Sequence, residues 1–456
     1  MSRQKIVLVG GGSLGWAPGL VKDIVLTESL SDSEIILYDI NKKASNLTKR
    51  FIERLFADER FKQKGAKIKL VSTDNQAVAL RNADYVIITI TTGGLKAIAP
   101  DLAIPQKYGI YHAVGDTSGP GSWGRVIRNY PAFMDLAKAI NRYAPGAMVI
   151  NYTNPMTTLT DILSRTCDGP VVGLCHALFS NINFIKDLYK LDGEEEISMK
   201  YAGLNHFFWI TEAYACNIDV IADLKKKLKN NTFDDLVAKL KKAGKGKDLP
   251  DSYRIATELF RFTGVMPYIG DRHTCEFFPH YITSRANMKK YDVEQWFRHI
   301  SMDARVKRTK ENRKKLCKML STRIDDRYFI PSRESAANII EAHSTGKVFI
   351  DVGNLPNTGQ VSNVPLGAVL ETAVMIDRNG FTPVNFGAIP EPVLGLIEPW
   401  SKVFTMIVDA CFRQDKDLAL YALRLDPLCS HLTTGEVVEM GEKILTANRK
   451  YTKGLF

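Results

Sequence analysis

Residues 7–15 read V-L-V-G-G-G-S-L-G, an apolar run that stops at three glycines and meets a fourth three residues later. Few local patterns limit a fold so sharply. The spacing G-x-G-x-x-G falls on Gly10, Gly12 and Gly15. Lys5–Val9 predicts a strand, and the period of Pro18–Leu26 predicts a helix. A strand that runs through such glycines into a helix is the first turn of a doubly wound parallel sheet. Gly10 permits the tight turn. Gly12 is expected to let backbone approach a pyrophosphate, with Ser13 beside it in the loop. The helix N-terminus supplies amide donors and a partial positive charge. A second β-rich run, Glu34–Asp39, ends in a carboxylate roughly 20 residues past the last glycine, where such folds hold a ribose diol. Asp39 disfavours a 2′-phosphate, so the expected dinucleotide is NAD, not NADP.

The rest of the first third keeps this alternation. Strands are expected at Ile68–Ser72, Tyr85–Thr89, Ala147–Tyr152 and Pro170–Leu174. Helices are expected at Lys42–Phe56, Pro131–Tyr143 and Thr157–Thr166. Strand and helix in turn mean α/β architecture, a parallel sheet covered on both faces. After about residue 195 the pattern loosens into a mixed α+β half. Its expected strands are Lys200–Leu204, Phe207–Ile218, Lys347–Leu355 and Gly367–Ile376. Its expected helices are Glu294–Leu320, Glu391–Gln414 and Thr434–Arg449, with a lysine-rich helical stretch at Asp219–Lys247. The expected division is a Rossmann-like unit at 1–195 and a catalytic and oligomerisation unit at 196–456.

With 456 residues, 45% of them hydrophobic, the chain has ample material for a large core. No apolar run reaches the eighteen or so residues that a membrane helix needs. The start, M-S-R-Q-K, is not expected to be a signal peptide. Seven scattered cysteines without a CxxC pair argue against a disulfide scaffold and for a reducing, cytoplasmic setting. The net charge of +11 concentrates in Lys225–Lys247 and Arg305–Lys318. A nucleic-acid surface would interleave aromatic side chains. Here only Phe233 interrupts the lysines, so solvated helix faces are expected and no nucleic-acid partner.

Three strand ends in succession carry chemistry. Asn154-Pro155 follows the fifth strand and leaves an amide at the sheet's carboxyl edge, where open α/β sheets bind ligands. The next strand ends in Cys175-His176, and a later one in Asn205-His206. Thiolate and imidazole suit a divalent transition metal, although spacing alone does not show that these ends converge. Further on, Tyr268-Ile-Gly-Asp271-Arg272-His273-Thr-Cys275-Glu276 packs five ionisable side chains into positions 271–276. Upstream, 109–121 is a glycine-rich loop holding one acid, Asp116.

Together these segments resemble glycoside hydrolase family 4, the NAD- and metal-dependent glycosidases. The resemblance covers nearly the whole chain. It rests on V-G-G-G-S-L-G-W, G-I-Y-H-A-V-G-D-T-S-G-P-G, I-N-Y-T-N-P-M, G-L-C-H, G-L-N-H, I-G-D-R-H, V-P-L-G-A-V-L-E and D-R-N-G. It implies a lactate/malate dehydrogenase-like NAD domain fused to a family-specific catalytic domain. It also implies a metal, usually Mn²⁺, on Cys175 and His206, and a sugar held by Asn154. Family chemistry departs from the two-carboxylate scheme of most glycosidases. The sugar is oxidised at C3 by NAD⁺, loses its C2 proton, eliminates the aglycone, adds water and is reduced again. Carried over, Asp271 is the expected base with Tyr268 as alternative, and His176 or Asp116 the expected acid. His176 matches members acting on unphosphorylated α-glycosides. The loops at 109–121 and 150–156 look most like those of α-galacturonide enzymes, for which Arg272, Arg285 or Arg125, with His273 nearby, would hold the uronate. The segment Ala177-Leu178-Phe179-Ser180 departs from the substrate-specific patterns and leaves α-galactosides and α-glucosides open. Family members are dimers or tetramers, and a homo-oligomer is expected.

The main competing reading is an NAD-dependent 2-hydroxyacid dehydrogenase on the same fold. The glycine loop and the Asn-Pro fit it. Cys175-His176 and the chain's length do not.

Overall fold

Short apolar runs that are buried on both faces pair side by side in the first half of the chain. In this computed structural model, which describes residues 3–61, 67–250, 252–296 and 301–456, six strands lie parallel: β1 (Lys5–Val9), β2 (Glu34–Tyr38), β3 (Lys69–Thr73), β4 (Tyr85–Ile88), β5 (Met148–Asn151) and β6 (Val171–Gly173). Their order is β3-β2-β1-β4-β5-β6, the doubly wound arrangement. All four residues of β4 and of β5 are buried, as helices on both faces require. In this half the strand expectations hold to within a residue at each end.

The second half extends the same sheet. β7 (Ile197–Leu204), β8 (Phe207–Ala215), β9 (Ile218–Asp219), β10 (Met266–Pro267), β11 (Phe349–Pro356), β12 (Val369–Asp377) and β13 (Gly380–Pro383) pair antiparallel. β11 joins the parallel half through one antiparallel pairing, Asn354 opposite Gly173 on β6. The path then runs β11-β12-β7-β8-β10. A Cβ on Gly173 would lie 2.4 Å from Thr160 Oγ1 and 3.1 Å from Asn354 Cβ, so glycine lets the two halves approach at this seam.

Helix expectations hold with two differences. The helix expected at Pro131–Tyr143 begins twelve residues earlier and spans Gly119–Tyr143. Its opening Gly-Pro-Gly reads as a turn in sequence, but Pro120 sits in the first helical turn, where proline loses no hydrogen bond. The helix expected at Glu294–Leu320 is Met302–Met319. Residues 297–300 of that expectation lie outside the described residues. The lysine-rich stretch forms two helices, Val220–Lys227 and Phe233–Lys242. They bury Val220, Ile221, Leu224, Phe233, Leu236, Val237 and Leu240 and leave their lysines outside. That is the amphipathic pattern of solvated faces.

The Glu391–Arg413, Lys416–Leu425 and Thr434–Thr452 helices pack on Gly119–Tyr143. A fully buried Arg128 locks this layer. It pairs in two parallel bonds with Asp101 (2.8 and 2.7 Å) and donates to Asn448 Oδ1 (2.7 Å) and the Thr92 carbonyl (3.1 Å). Among the described residues no helix is long and apolar enough to cross a membrane.

Candidate active site

The carboxyl ends of the parallel strands carry the expected loops to one edge. At the end of β1 the amides of Gly10 and Gly11 both donate to the Tyr38 carbonyl (2.9 Å each), which folds the turn over β2. Gly10 has φ +94°, and a Cβ there would meet the Thr89 carbonyl at 2.6 Å. Gly12 meets a further requirement. Its amide donates to Asp39 Oδ2 (2.9 Å), and a Cβ on it would strike that same oxygen and Ala44 Cβ, each at 2.7 Å. Gly12 therefore admits the Asp39 carboxylate and the following helix. Gly15 is the glycine facing open space. Asp39 also accepts the Asn41 amide (2.8 Å), so the carboxylate is held at the strand end.

The strand ends after β5, β6 and β7 do converge. His206 sits in the two-residue turn between β7 and β8, in the left-handed region at φ 61°. Its Nε2 lies 3.1 Å from Cys175 Sγ, at the end of β6. Its Nδ1 lies 2.9 Å from Thr117 Oγ1, and that hydroxyl donates to Asp116 Oδ1 (3.1 Å). The hydroxyl proton being so placed, Nδ1–H donates to Thr117 and the Nε2 lone pair faces the sulfur. Asp116, His206 and His273 each offer a ligand atom within 4.8 Å of the others. The His206 and His273 rings lie 3.9 Å apart, and Tyr268 stacks 6.3 Å from His206.

The electrostatics suit a cation. Burial, and His273 beside it, push the His206 imidazole well below its ordinary range, leaving it neutral. Burial raises the Cys175 thiol, and Glu371 adds to this, so metal binding would have to displace its proton. For Asp116 burial acts upward, but Arg125, His273 and His206 outweigh it and hold the carboxyl down to about 2. His273 Nδ1 and Asn154 Oδ1 are buried without a hydrogen-bond partner among the described residues. A thiol, two imidazoles and a carboxylate, with an unsatisfied nitrogen among them, fit a divalent first-row metal.

Residues that sequence reasoning missed hold this nest together. Glu276 is fully buried. Its Oε1 accepts the amides of Val114 (2.7 Å) and Gly115 (2.9 Å) and lies 3.3 Å from His112 Nδ1. Gly121 N–H donates to His112 Nε2 (3.2 Å), which assigns the ring proton to Nδ1, facing Glu276. From the other side Arg305 donates to the Val114 carbonyl (2.9 Å) and Arg125 to the Gly115 carbonyl (3.4 Å). The loop before Asp116 is thus gripped on amides and carbonyls alike. Arg125 Nη1 stands 3.8 Å from Asp116 Oδ2, and Arg305 feels the charges of Asp116, Arg125 and Arg272. Glu371 on β12 is also fully buried and accepts from Asn205 (2.8 Å) and Asn354 (2.9 Å), next to the His206 turn.

Of three other expected site residues, one is committed to a helix end, one sits exposed at the edge of the nest and one lines a separate cavity. Asp271 is 1% exposed, and both of its oxygens are taken. It accepts the amides of Ile255 and Ala256 (2.9 Å each) at the start of the Arg254–Thr263 helix, with Ser252 at 3.3 Å. His176 is exposed and pairs with Glu334 at 3.5 Å. Arg285 is exposed and lines a cavity of about 570 Å³ with Tyr111 and His112.

The comparisons with known proteins agree with this geometry. The profile of the family 4 glycosyl hydrolases matches residues 5–191, and that of the family's C-terminal domain matches residues 201–429. The chain belongs to glycosyl hydrolase family 4. It is 33% identical to an alpha-galacturonidase of Thermoanaerobacter italicus over 99% of this chain and 97% of that one. The crystal structure of a putative glucosidase from Bacillus subtilis superposes with a TM-score of 0.83 at 29% identity, covering 97% of this chain and 100% of that one. The 6-phospho-beta glucosidase of Thermotoga maritima, solved with manganese, NAD⁺ and glucose-6-phosphate, shares the fold at a TM-score of 0.75, 24% identity and 98% of each chain. Family 4 membership makes this chain a glycosidase and disfavours the 2-hydroxyacid dehydrogenase.

Proposed function

We propose that this glycosidase cleaves α-galacturonides or related α-uronides with NAD and a divalent cation such as Mn²⁺. The route would be C3 oxidation, C2 deprotonation, elimination of the aglycone and addition of water. The observation that carries the uronide reading is the charge around Asp116. Arg125 Nη1 stands 3.8 Å from Asp116 Oδ2, and Arg305 feels the charges of Asp116, Arg125 and Arg272. A guanidinium at this edge would hold a substrate carboxylate through paired hydrogen bonds.

When bound, the dinucleotide supplies reversible oxidation at C3 and the cation polarises the oxygen there. The chain's own groups do the rest. Cys175 and His206 hold the cation, with His273 and Asp116 within reach. Asn154 offers its unpartnered oxygen to a sugar hydroxyl. Tyr268 removes the C2 proton: it stacks against His206, and its hydroxyl end lies over Gly270, where a Cβ would come within 2.2 Å of it. Burial, Cys175 and Glu371 disfavour its phenolate in the metal-free protein and Arg272 favours it, while Asp271 is committed to its helix. Of the two expected acids, His176 is the one able to donate to the departing oxygen: it stands exposed beside His206, and Glu334 raises its affinity for a proton. Asp116, held at about 2, is already ionised and cannot donate.

The Gly10–Gly15 loop and Asp39 hold NAD within residues 1–195, and the sugar site draws on both halves, with Asn154, Cys175 and Asp116 from the first and His206, Tyr268 and His273 from residues 196–456. Exposed Tyr421, Leu425 and Val438 on the C-terminal helices offer apolar surface for a homo-oligomer.

The test is a panel of p-nitrophenyl α-galacturonide, α-glucuronide, α-galactoside and α-glucoside, with NAD⁺, Mn²⁺ and a thiol reductant. Release that needs both additions and is fastest with the galacturonide supports the reading. Release without NAD⁺, or a preference for the neutral sugars, overturns it.

A further inference from the structure

The Met302–Met319 helix reads in sequence as a charged, solvated rod. In the fold it spans the active-site edge. Near its start, Arg305 grips the loop before Asp116. At its end, Leu316 and Met319 pack on Phe51 and Leu55 of the Lys42–Phe56 helix, beside Leu14 of the glycine loop. Eighteen residues cover about 27 Å at 1.5 Å per residue, a length that reaches from the sugar end of the site to the helix after β2. The helix therefore roofs the course a dinucleotide takes along the sheet edge.

Under that roof, where the glycine loop ends, is a cavity of about 490 Å³. Its lining brings Leu14, Gly15 and Lys22 from the first half together with Asn312, Lys315 and Arg327 from the second. No acidic residue is among its lining residues. A Cβ on Gly15 would meet nothing within 4 Å, so the wall beside the phosphate turn is open. Lys22 is balanced by Asp23 at 3.4 Å, and Arg327 in part by Asp325 at 3.7 Å. Lys315 has no carboxylate partner among the described residues. An uncompensated ammonium facing an open glycine loop across an acid-free cavity is an arrangement for an anion.

We infer that Lys315, with Arg327 and the Asn312 amide, meets the phosphates of the bound dinucleotide from the side opposite the glycine loop, so that the basic helix is a cofactor clamp. The inference rests on the NAD reading above and adds to it a second set of phosphate ligands, drawn from the other half of the chain. Helix N-terminus and clamp would then hold the diphosphate between them.

The experiment is direct binding to the metal-free protein, read by calorimetry with NAD⁺, with ADP-ribose and with adenosine. Lys315→Gln combined with Arg327→Gln is expected to weaken NAD⁺ and ADP-ribose about tenfold and to leave adenosine, which has no phosphate, unchanged. The salt dependence of NAD⁺ binding should become shallower in the same variant. Lys314→Gln, one position along and outside the cavity lining, should bind NAD⁺ as the unaltered chain does. Equal NAD⁺ affinity in the double variant and the unaltered chain overturns the clamp. So does an equal loss in Lys314→Gln, which would trace the effect to the general field of the helix. No NAD⁺ binding by the unaltered chain overturns the cofactor reading itself, a result distinct from both.

Discussion

Glu276 is where a single substitution should uncouple the site from the fold. Its buried carboxylate takes the amides of Val114 and Gly115 at 2.7 and 2.9 Å and the His112 ring nitrogen at 3.3 Å. Asp116 follows directly. Glu276→Ala strands two backbone donors and an imidazole N–H in a dry interior. At roughly 1–3 kcal/mol for each orphaned donor, and with incomplete additivity, the loss of stability is about 3–5 kcal/mol. Glu276→Gln keeps one acceptor for the two amides but gives up the charge, and should lose only about 1–2 kcal/mol. The informative readout is the metal. If Glu276 holds the Asp116 loop against His206 and His273, the glutamine variant should bind Mn²⁺ about tenfold more weakly, as substitutions behind metal ligands do. Urea denaturation gives the first quantity and calorimetric Mn²⁺ titration the second. A glutamine variant with unaltered Mn²⁺ affinity and kcat/KM, beside an alanine variant that loses less than about 1 kcal/mol, would refute the reasoning.

Glu371 carries a pH signature. Burial raises its carboxyl to about 7, against donation from Asn205 and Asn354, so the folded protein resists its ionisation. The unfolded group ionises near 4.5, and metal-free protein should therefore lose stability as pH rises from about 4.5 to about 7, by at most about 3 kcal/mol. Glu371→Gln should remove that slope, and equal slopes by urea denaturation between about pH 5 and pH 8 would refute it. Arg272→Gln should raise KM for the galacturonide about tenfold or more and leave that for the galactoside unchanged; equal effects on both would deny the arginine a role at the carboxylate. Arg128→Met leaves Asp101 charged and unpaired in the core, at a cost of about 3–5 kcal/mol. Arg128→Met with Asp101→Leu should recover part of that loss in the same denaturation assay.

Much of the parallel half was legible because its signals are local. A buried strand announces itself over five residues, and the G-x-G-x-x-G spacing over six. The Asn154, Cys175 and His206 positions could be named for the same reason: each lies at the end of a strand that the apolar pattern marks. Their convergence could not be read. Cys175 and His206 meet although β11 and β12 lie between β6 and β7 in the sheet, an order joined by Asn354 opposite Gly173, 181 residues away along the chain.

The misreadings share that cause. Asp271 looked available because sequence shows its charge and not the helix N-terminus that consumes it. Arg305 looked like one more solvated cation among lysines, since composition cannot say which side of a helix faces a loop nearly 200 residues upstream. Glu276 was visible only as a member of a charged segment, its partners lying more than 150 residues earlier. Strand, helix and turn propensities depend on neighbours a few residues apart, so local pattern was enough for the dinucleotide fold and the chemical types at its edge. Which carboxylate is buried as a strut, which stays ionised beside a metal nest and which cation turns inward are matters of desolvation and pairing between distant segments, and these arise when the chain is folded.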